Sequence, residues 1–177
     1  MRIIGGKHKG IRLQPPKDLP VRPTTDRAKE ALFNILQHRI EIVGLKALDL
    51  FSGTGNIALE LASRGAKSVT AVDKSHKCAN FLKLTAQKMN LDQIQVVRAD
   101  TFTFLAKCND QFDFIFADPP YDMEKLVEIP KIIMERGLLA EDGILVLEFP
   151  STIRLLDQPA PLELRKYGNS SFAIYQN

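Results

Sequence analysis

Four aspartates, Asp49, Asp73, Asp100 and Asp118, stand at or near the ends of apolar runs in the chain. In an open α/β sheet, ligands bind outside the carboxyl ends of the strands, so side chains at successive strand ends meet in one place. Asp73 follows Gly53 by about 20 residues, the spacing at which an acid reaches the hydroxyl groups of a bound ribose. The acids are therefore better explained by a ligand site than by packing.

A glycine turn, residues 52–56, follows the first of these runs. Residues 47–50 have the character of a buried strand, and from Ile57 onward the apolar residues recur at helical spacing. Glycine permits the sharp turn and lets a ligand approach the backbone closely. A strand, a glycine turn and a helix in this order are typical of the entry unit of a nucleotide-binding α/β fold.

The same turn leaves a second interpretation open. Gly53, Gly55 and Ala58 match the looser form of the dinucleotide-binding fingerprint, which is found in nicotinamide-dependent dehydrogenases. That interpretation gives no role to residues 118–121. A chain of 177 residues also leaves no room for a separate substrate domain.

Residues 118–121, Asp-Pro-Pro-Tyr, are the more specific signal. The two prolines lack N–H groups, so the local carbonyls remain as hydrogen-bond acceptors. The Asp118 carboxylate and a nearby carbonyl can together accept both hydrogens of a planar exocyclic amine, and Tyr121 offers a face on which the base can stack. Such a site holds an amine in line with the electrophilic methyl group of a bound sulfonium. The motif therefore predicts methylation of a base amine.

Length and composition are those of one globular domain, with 177 residues, 45% of them hydrophobic and 25% charged. No apolar run approaches the length of a membrane span, and the amino-terminal residues lack the continuous apolar segment of a signal peptide. The two cysteines, Cys78 and Cys108, have no metal-ligand spacing, and the three histidines share none with them. We therefore expect a cytoplasmic protein with no metal site.

Positive charge is concentrated at the amino terminus. Residues 1–29 contain eight lysines and arginines against two aspartates, a net charge of 8 − 2 = +6, whereas the whole chain carries +3. Residues 2–13 have the pattern of a glycine-turned hairpin, and four prolines between residues 15 and 23 predict a stiff extended linker. This basic arm indicates a polyanionic partner that binds at one end of the molecule.

From residue 24 onward, strand and helix patterns alternate. Strands are predicted at residues 45–50, 68–72, 94–98, 112–117 and 143–149, and helices at 24–40, 56–64, 75–89, 102–108 and 123–136. Strands joined by helical crossovers form a parallel sheet with helices on both faces, and a final hairpin, residues 162–175, would add an antiparallel strand at the edge. We expect a Rossmann-like α/β fold with residues 1–23 as arm and linker and residues 24–177 as one domain.

These motifs together resemble the class I S-adenosylmethionine-dependent methyltransferases. More closely, the chain resembles the bacterial 16S rRNA (guanine-N2) methyltransferase family of the small ribosomal subunit. The residues that carry the resemblance are Arg2-Ile3-Ile4-Gly5-Gly6-Lys7, Arg22-Pro23-Thr24-Thr25-Asp26-Arg27, Phe33-Asn34, Asp49-Leu50-Phe51-Ser52-Gly53-Thr54-Gly55, Asp73, Asp100 and Asp118-Pro119-Pro120-Tyr121. The glycine turn and Asp-Pro-Pro-Tyr occur in many amino-methyltransferases, whereas the first two segments are particular to this family.

The resemblance implies a role for each of these sites. S-adenosyl-L-methionine would be the cofactor, with its methionine end held by Asp49, Phe51, Gly53 and Gly55. Its ribose would be bound by Asp73 and its adenine amine by Asp100, while Thr24 and Thr25 would close over it. Asp118 and the carbonyl of Pro119 would hold the guanine amine, with Tyr121 stacked on the base.

The expected partner is ribosomal RNA, in an assembling or assembled small ribosomal subunit. The protein is expected to act as a monomer. The basic side chains expected to contact this RNA are Arg2, Lys7, Lys9, Arg12, Arg22 and Arg27. Two alternatives remain at this point. Asp-Pro-Pro-Tyr also serves the adenine amine of DNA N6-methyltransferases, and an RNA-binding or ribosome-assembly factor could keep the fold without the activity.

Overall fold

The computed structural model describes residues 1–16, residue 19 and residues 26–177, and of Arg27 only the backbone. Arg22, Thr24 and Thr25, for which the sequence predicts roles, therefore lie outside the described residues, as does the side chain of Arg27. No helix within the described part of the chain is long and apolar enough to cross a membrane.

The centre of the molecule is a single twisted sheet. Its strands are β1 (Lys46–Leu50), β2 (Ser68–Asp73), β3 (Ile94–Arg98), β4 (Phe112–Ala117), β5 (Leu139–Pro150), β6 (Glu163–Tyr167) and β7 (Ser170–Gln176). The seven strands lie in the order β3-β2-β1-β4-β5-β7-β6. Pairing is parallel from β3 to β5, and β7 is antiparallel to both of its neighbours. The predicted Rossmann-like α/β fold is confirmed.

Helices cover both faces of the sheet. They are α1 (Asp26–Leu36), α2 (Asn56–Ser63), α3 (His76–Lys88), α4 (Thr101–Lys107) and α5 (Ile129–Glu135). Leu32, Leu61 and Leu82, from the first three helices, belong to one buried apolar cluster, whereas Leu105 and Ile133, from the last two, belong to another. Side chains of a strand point alternately to the two faces, so each central strand contributes to both clusters.

The sheet has its switch point at β1. This strand pairs with β2 on one side and with β4 on the other, so the direction of chain progression reverses there. Ligands of open α/β sheets bind outside the carboxyl ends of the strands beside such a point. The glycine turn follows β1 and Asp-Pro-Pro-Tyr follows β4, so the fold brings the two motifs together.

The carboxyl-terminal hairpin differs from the expectation in one respect. The antiparallel strand β7 does not lie at the edge but between β5 and β6. Its side chains are apolar on both faces, with Phe172 and Ile174 in one cluster and Ala173 and Tyr175 in the other. The neighbouring β6 is largely exposed and rich in charge, which suits an edge strand because charged side chains discourage pairing with another chain.

The helix predicted over residues 123–136 is divided. A 3-10 helix covers Glu124–Glu128, and α5 follows with Pro130 in its first turn. Proline has no N–H to donate to the preceding turn, but it is tolerated where a helix begins. The proline therefore fixes the start of α5.

Residues 1–13 pair as a small hairpin that packs against the domain. The N–H of Ile3 donates to the carbonyl of Ile11 at 2.9 Å, and Arg2 and Arg12 form an antiparallel bridge. Ile3 is 1% exposed and belongs to the same apolar cluster as α1 and α2. The N–H of Lys7 donates to the carbonyl of Ser63, at the end of α2, over 2.8 Å. The basic arm is thus anchored on α2.

Candidate active site

Carboxylates from three neighbouring strands lie on one face of the sheet. Asp49 of β1 is in register with Phe116 of β4, and Ala117 is in register with Leu147 of β5. Asp118 and Glu148 therefore occupy the next positions of adjacent parallel strands. The negative charges of Glu148 and Asp49 both raise the pKa of Asp118, as expected if all three side chains point to the same face of the sheet.

Asp49 fixes the first turn of α2. It is 1% exposed, and its Oδ2 accepts a hydrogen bond from the backbone N–H of Ala58 over 3.0 Å. Burial and the nearby charge of Asp73 raise the pKa of Asp49 to about 8, partly opposed by that hydrogen bond. Asp49 lies on β1, the strand that leads into the glycine turn. Its role at the methionine end of the cofactor stays a prediction.

Three alternate residues, two in the glycine turn and one directly before it, have a left-handed backbone. The φ angles are 61° at Phe51, 52° at Gly53 and 77° at Gly55. A Cβ atom on Gly55 would lie 2.2 Å from Cδ1 of Leu82, so this position also needs glycine because of the packing of α3. Positive φ is unfavourable for phenylalanine, and strain of this kind concentrates at ligand sites.

Asp73 ties the glycine turn to α3. Its Oδ2 accepts from the N–H of Gly53 over 2.8 Å, and its Oδ1 accepts from the N–H of Ser75 over 2.7 Å. Ser75 in turn caps α3 through Cys78. Each carboxylate oxygen has a second lone pair, so the predicted bonds to ribose hydroxyls are compatible with these contacts.

Asp100 has a structural role that the sequence analysis did not predict. Its Oδ1 accepts from the N–H of Thr103 over 2.9 Å and so caps the amino terminus of α4. Aspartate is one of the preferred N-cap residues, because its side chain satisfies an otherwise unpaired N–H. The residue is exposed at the carboxyl end of β3. Its proposed contact with the adenine amine stays a prediction.

Asp-Pro-Pro-Tyr continues β4 into the site. The N–H of Asp118 lies 3.5 Å from the carbonyl of Leu50, Pro119 is buried, and Tyr121 is 40% exposed. Removal of the Asp118 carboxylate from water, together with the charges of Glu148 and Asp49, raises the pKa of Asp118 well above its usual range. A carboxylate in this state gains from a hydrogen-bond donor or a positive charge placed beside it.

Glu148 is a functional candidate that the sequence analysis missed. It is 5% exposed at the end of β5, and its Oε2 has no hydrogen-bond partner among the described residues. Burial raises the pKa of Glu148, while the hydroxyl groups of Ser170 and Tyr121 partly offset this rise. The signal in the sequence was an acid inside the apolar run 144–149, at the same strand-end position as the four aspartates.

Glu60 of α2 is an acid with no exposed surface. Its Oε2 accepts from the N–H of Ile4 over 2.9 Å and lies 3.4 Å from Nζ of Lys29, and its Oε1 accepts from Nε of Arg64 over 2.8 Å. Lys29 also donates to Oδ1 of Asn56, the first residue of α2, over 2.9 Å. This network connects the arm, α1 and the glycine turn.

The basic residues of the arm are not equivalent. Arg2 lies 3.5 Å from carboxylate oxygens of both Asp26 and Glu30, so part of its charge is balanced within the molecule. Lys7, Lys9 and Arg12 are exposed. The structure thus presents these three side chains to solvent, and their contact with RNA stays a prediction.

The chemistry of the site suits S-adenosylmethionine. Asp73 holds the glycine turn through the N–H of Gly53, and the hydroxyl of Ser52, the residue before Gly53, is buried without a partner in the described part of the chain. The acids Asp49 and Asp118 suit a cofactor that carries a positive sulfonium and an ammonium group. No group of three or more potential metal ligands occurs among the described residues.

Comparison with known sequences identifies relatives along the whole chain. The sequence model of a family described as conserved hypothetical protein 95 matches residues 1–176. Ribosomal RNA small subunit methyltransferase D of Buchnera aphidicola subsp. Baizongia pistaciae is 32% identical over 181 residues, which cover 100% of this chain and 92% of that protein. The protein of the same name from Escherichia coli K12 is 31% identical over 179 residues, which cover 99% and 89%.

Solved structures show the same architecture. A hypothetical protein from Thermus thermophilus is 30% identical with a TM-score of 0.87, and the match covers 100% of this chain and 99% of that one. An RNA methyltransferase from Salinibacter ruber, solved with S-adenosyl-L-homocysteine, is 13% identical with a TM-score of 0.67 over 88% of this chain and 93% of that one, and shares the fold. The chain therefore belongs to the family described as conserved hypothetical protein 95, and it is related along its whole length to ribosomal RNA small subunit methyltransferase D.

Proposed function

We propose that this protein methylates the exocyclic N2 amine of a guanine in small-subunit ribosomal RNA, with S-adenosylmethionine as the methyl donor. One observation carries the proposal. Asp-Pro-Pro-Tyr follows β4 directly beside the switch point, with the Asp118 carboxylate facing the acids of β1 and β5 and with Tyr121 exposed. The relatives are named ribosomal RNA small subunit methyltransferases, which supports the choice of substrate.

The cofactor would lie along the carboxyl ends of β1 to β3. Residues 51–55 would enclose its methionine end, Asp73 would accept from the ribose hydroxyls, and Asp100 would accept from the adenine amine. Thr24 and Thr25, outside the described residues, would close the site. When bound, the cofactor supplies an electrophilic methyl group on a positively charged sulfur.

Asp118 orients the target amine and receives its proton. The carboxylate and the Pro119 carbonyl each accept one N2–H, which directs the nitrogen lone pair along the line of methyl transfer. As the N–CH3 bond forms and the S–CH3 bond breaks, positive charge develops on N2 and strengthens the bond to Asp118. One proton must then leave N2, and the raised pKa of Asp118 makes this carboxylate a competent acceptor.

The arm would supply RNA affinity. Its exposed basic residues, Lys7, Lys9 and Arg12, lie on a hairpin held against the end of α2. Phosphate contacts of this kind position an RNA without reading its sequence. We further propose that the protein works as a cytoplasmic monomer on an assembling or assembled small subunit.

Product analysis tests the proposal directly. The protein is incubated with labelled S-adenosylmethionine and, separately, with naked small-subunit RNA, assembled small subunits and duplex DNA. Nucleosides are then identified by mass spectrometry, with a reaction that lacks the protein as the control. N2-methylguanosine in one of the RNA samples is the expected product. N6-methyladenine in the DNA sample, or no methylation of any substrate, would contradict the proposal and favour one of the two alternatives.

A further inference from the structure

Glu148 occupies a position that its own strand does not explain. It interrupts an apolar run of β5, is 5% exposed, and pairs across the sheet with Phe172, which is 1% exposed. A buried carboxylate is unfavourable unless its oxygens are hydrogen-bonded or paired with a positive charge. Its Oε2 has no hydrogen-bond partner in the described part of the chain, so this oxygen can accept a hydrogen bond from a bound ligand.

The surroundings of Glu148 direct that donor to the base site. Strand register places Glu148 beside Asp118, one position beyond the pair Ala117 and Leu147. Hydrogen bonds from the hydroxyl groups of Ser170 and of Tyr121, the residue proposed to stack on the base, lower the pKa of Glu148 and so partly offset the effect of burial. Glu148 therefore borders the same space as Asp118 and Tyr121.

The edges of the two candidate bases differ at the ring nitrogen next to the amine. Guanine presents three adjacent donors, the two hydrogens of N2 and the hydrogen on N1. Adenine presents the two hydrogens of N6, but its N1 has a lone pair and no hydrogen. Asp118 and the Pro119 carbonyl account for the two amine hydrogens of either base, so they do not discriminate between them.

We infer that Glu148 selects guanine by accepting the N1–H of the target base, which completes a set of three acceptors for three donors. This inference rests on the proposed function, since it assumes that Asp118 and Pro119 hold the amine. Adenine would place the lone pair of N1 against the unpaired carboxylate oxygen. Sites that hydrogen-bond a substrate group reject analogues that lack it, because a buried polar group of the protein is then left without a partner.

Modified bases test the inference on the wild-type protein. The guanosine identified by product analysis is replaced, in otherwise identical RNA, by 2-aminopurine, which keeps the 2-amino group but has no hydrogen on N1. A third RNA carries 6-thioguanine, which keeps N1–H and changes only the substituent at position 6. We expect single-turnover methylation of 2-aminopurine to be at least about tenfold slower than that of guanine, with 6-thioguanine much closer to guanine.

The variant Glu148→Gln separates recognition from folding. The glutamine amide still accepts from N1–H through its oxygen, but its NH2 group can donate to the N1 lone pair of 2-aminopurine. The ratio of the guanine rate to the 2-aminopurine rate should therefore fall at least about fivefold, within the free-energy range of a single hydrogen bond. A purely structural role would slow both substrates equally and leave the ratio unchanged. Glu141→Gln, the same change at an exposed position of β5, is the matched control and should leave all rates unchanged.

Each outcome has a defined meaning. Equal methylation of guanine and 2-aminopurine by the wild-type protein overturns the inference while leaving guanine-N2 methylation intact, even where Glu148→Gln fails to fold. An unchanged ratio in a folded Glu148→Gln variant also overturns it. Absence of methylated guanine from every wild-type reaction would instead refute the proposed function, and the inference with it.

Discussion

Lys29 of α1 and Glu60 of α2 form an ion pair at 3.4 Å in which both side chains are completely buried. The pair does not stand alone, since the Lys29 ammonium also donates to the carbonyl of Arg2 and to the side chain of Asn56. Burial lowers the pKa of Lys29, while the charge of Glu60 opposes this effect. The basic arm and the first residue of the helix after the glycine turn thus share one buried cation.

We expect loss of Glu60 to destabilise the protein strongly. Glu60→Ala removes the carboxylate from Lys29, Arg64 and the N–H of Ile4, and breaking a buried pair from one side typically costs about 3–5 kcal/mol. Denaturant titration measures the free energy of unfolding. Glu135→Ala is the matched control, because its pair with Lys131 is exposed on α5 and should contribute less than about 1 kcal/mol. Similar losses for the two variants would show that the buried network does not stabilise the fold.

The sequence predicts the framework of the site better than its interior. The glycine turn and the strand-end acids are visible because periodicity and turn chemistry are local properties. The roles of Glu60 and Glu148 are missed for the opposite reason. Their burial depends on the arm packing on α2 and on β7 inserting beside β5, and both contacts join segments that are distant in the chain.

The same distinction between local and long-range contacts applies to Asp73. Its position after β2 and its distance from Gly53 predict a ribose ligand. The hydrogen bonds to the N–H groups of Gly53 and Ser75 become visible only once the turn and the start of α3 are placed in space. A local pattern identifies the residue, and the tertiary structure adds a reason for its type.

Asp73→Ala should weaken S-adenosylmethionine binding. The variant loses the predicted bonds to the ribose and also the contacts of Asp73 with the N–H of Gly53 in the glycine turn and with the N–H of Ser75 before α3. Together these predict a loss of roughly 1–3 kcal/mol in binding free energy, measured by calorimetry. Asp92→Ala, at an exposed residue, should bind normally. Titration with NAD completes the test, because binding of NAD in place of S-adenosylmethionine would restore the dehydrogenase interpretation.

Replacing Lys7, Lys9 and Arg12 by alanine should make RNA binding less sensitive to salt. Each lost phosphate contact removes about 0.7–0.9 from the slope of log affinity against log salt, because fewer counterions are released. Three contacts would therefore lower the slope by about 2–3. Affinity for S-adenosylmethionine should stay unchanged.

The control for the arm is a second triple variant with the same change in net charge. Lys83, Lys88 and Lys107 are exposed on α3 and α4, outside the arm. Their replacement by alanine should leave the salt slope close to that of the wild-type protein. If this control changes the slope and the arm variant does not, the RNA site lies on the helical surface.

Asp118→Ala should lower the rate of methyl transfer far more than it lowers cofactor affinity. The proposed contact between Asp118 and the amine would strengthen as positive charge develops on N2, so its loss should appear in kcat. By comparison with the loss of a single oxyanion-hole donor, we expect a decrease of about 100-fold or more. Asp118→Asn should be milder, since its amide oxygen still accepts. Single-turnover rates and calorimetry on both variants measure the two effects. A rate for Asp118→Ala near that of the wild-type protein would show that Asp-Pro-Pro-Tyr is only a scaffold.

The same variants should stabilise the folded protein at neutral pH. The pKa of Asp118 is raised in the folded state by burial and by Glu148 and Asp49, so the folded state binds this proton more tightly than the unfolded state does. The wild-type protein therefore loses stability as pH rises from the ordinary aspartate pKa toward the raised value.

Asp118→Asn has no charge to bury, so its advantage in free energy of unfolding should be larger near neutral pH than near the ordinary aspartate pKa of about 4. Denaturant titrations at the two pH values measure the difference. An advantage that does not depend on pH would mean that the neighbours of Asp118 do not destabilise its charged carboxylate. A variant that is more stable but transfers methyl more slowly would show that the electrostatic cost of burying Asp118 is retained for catalysis.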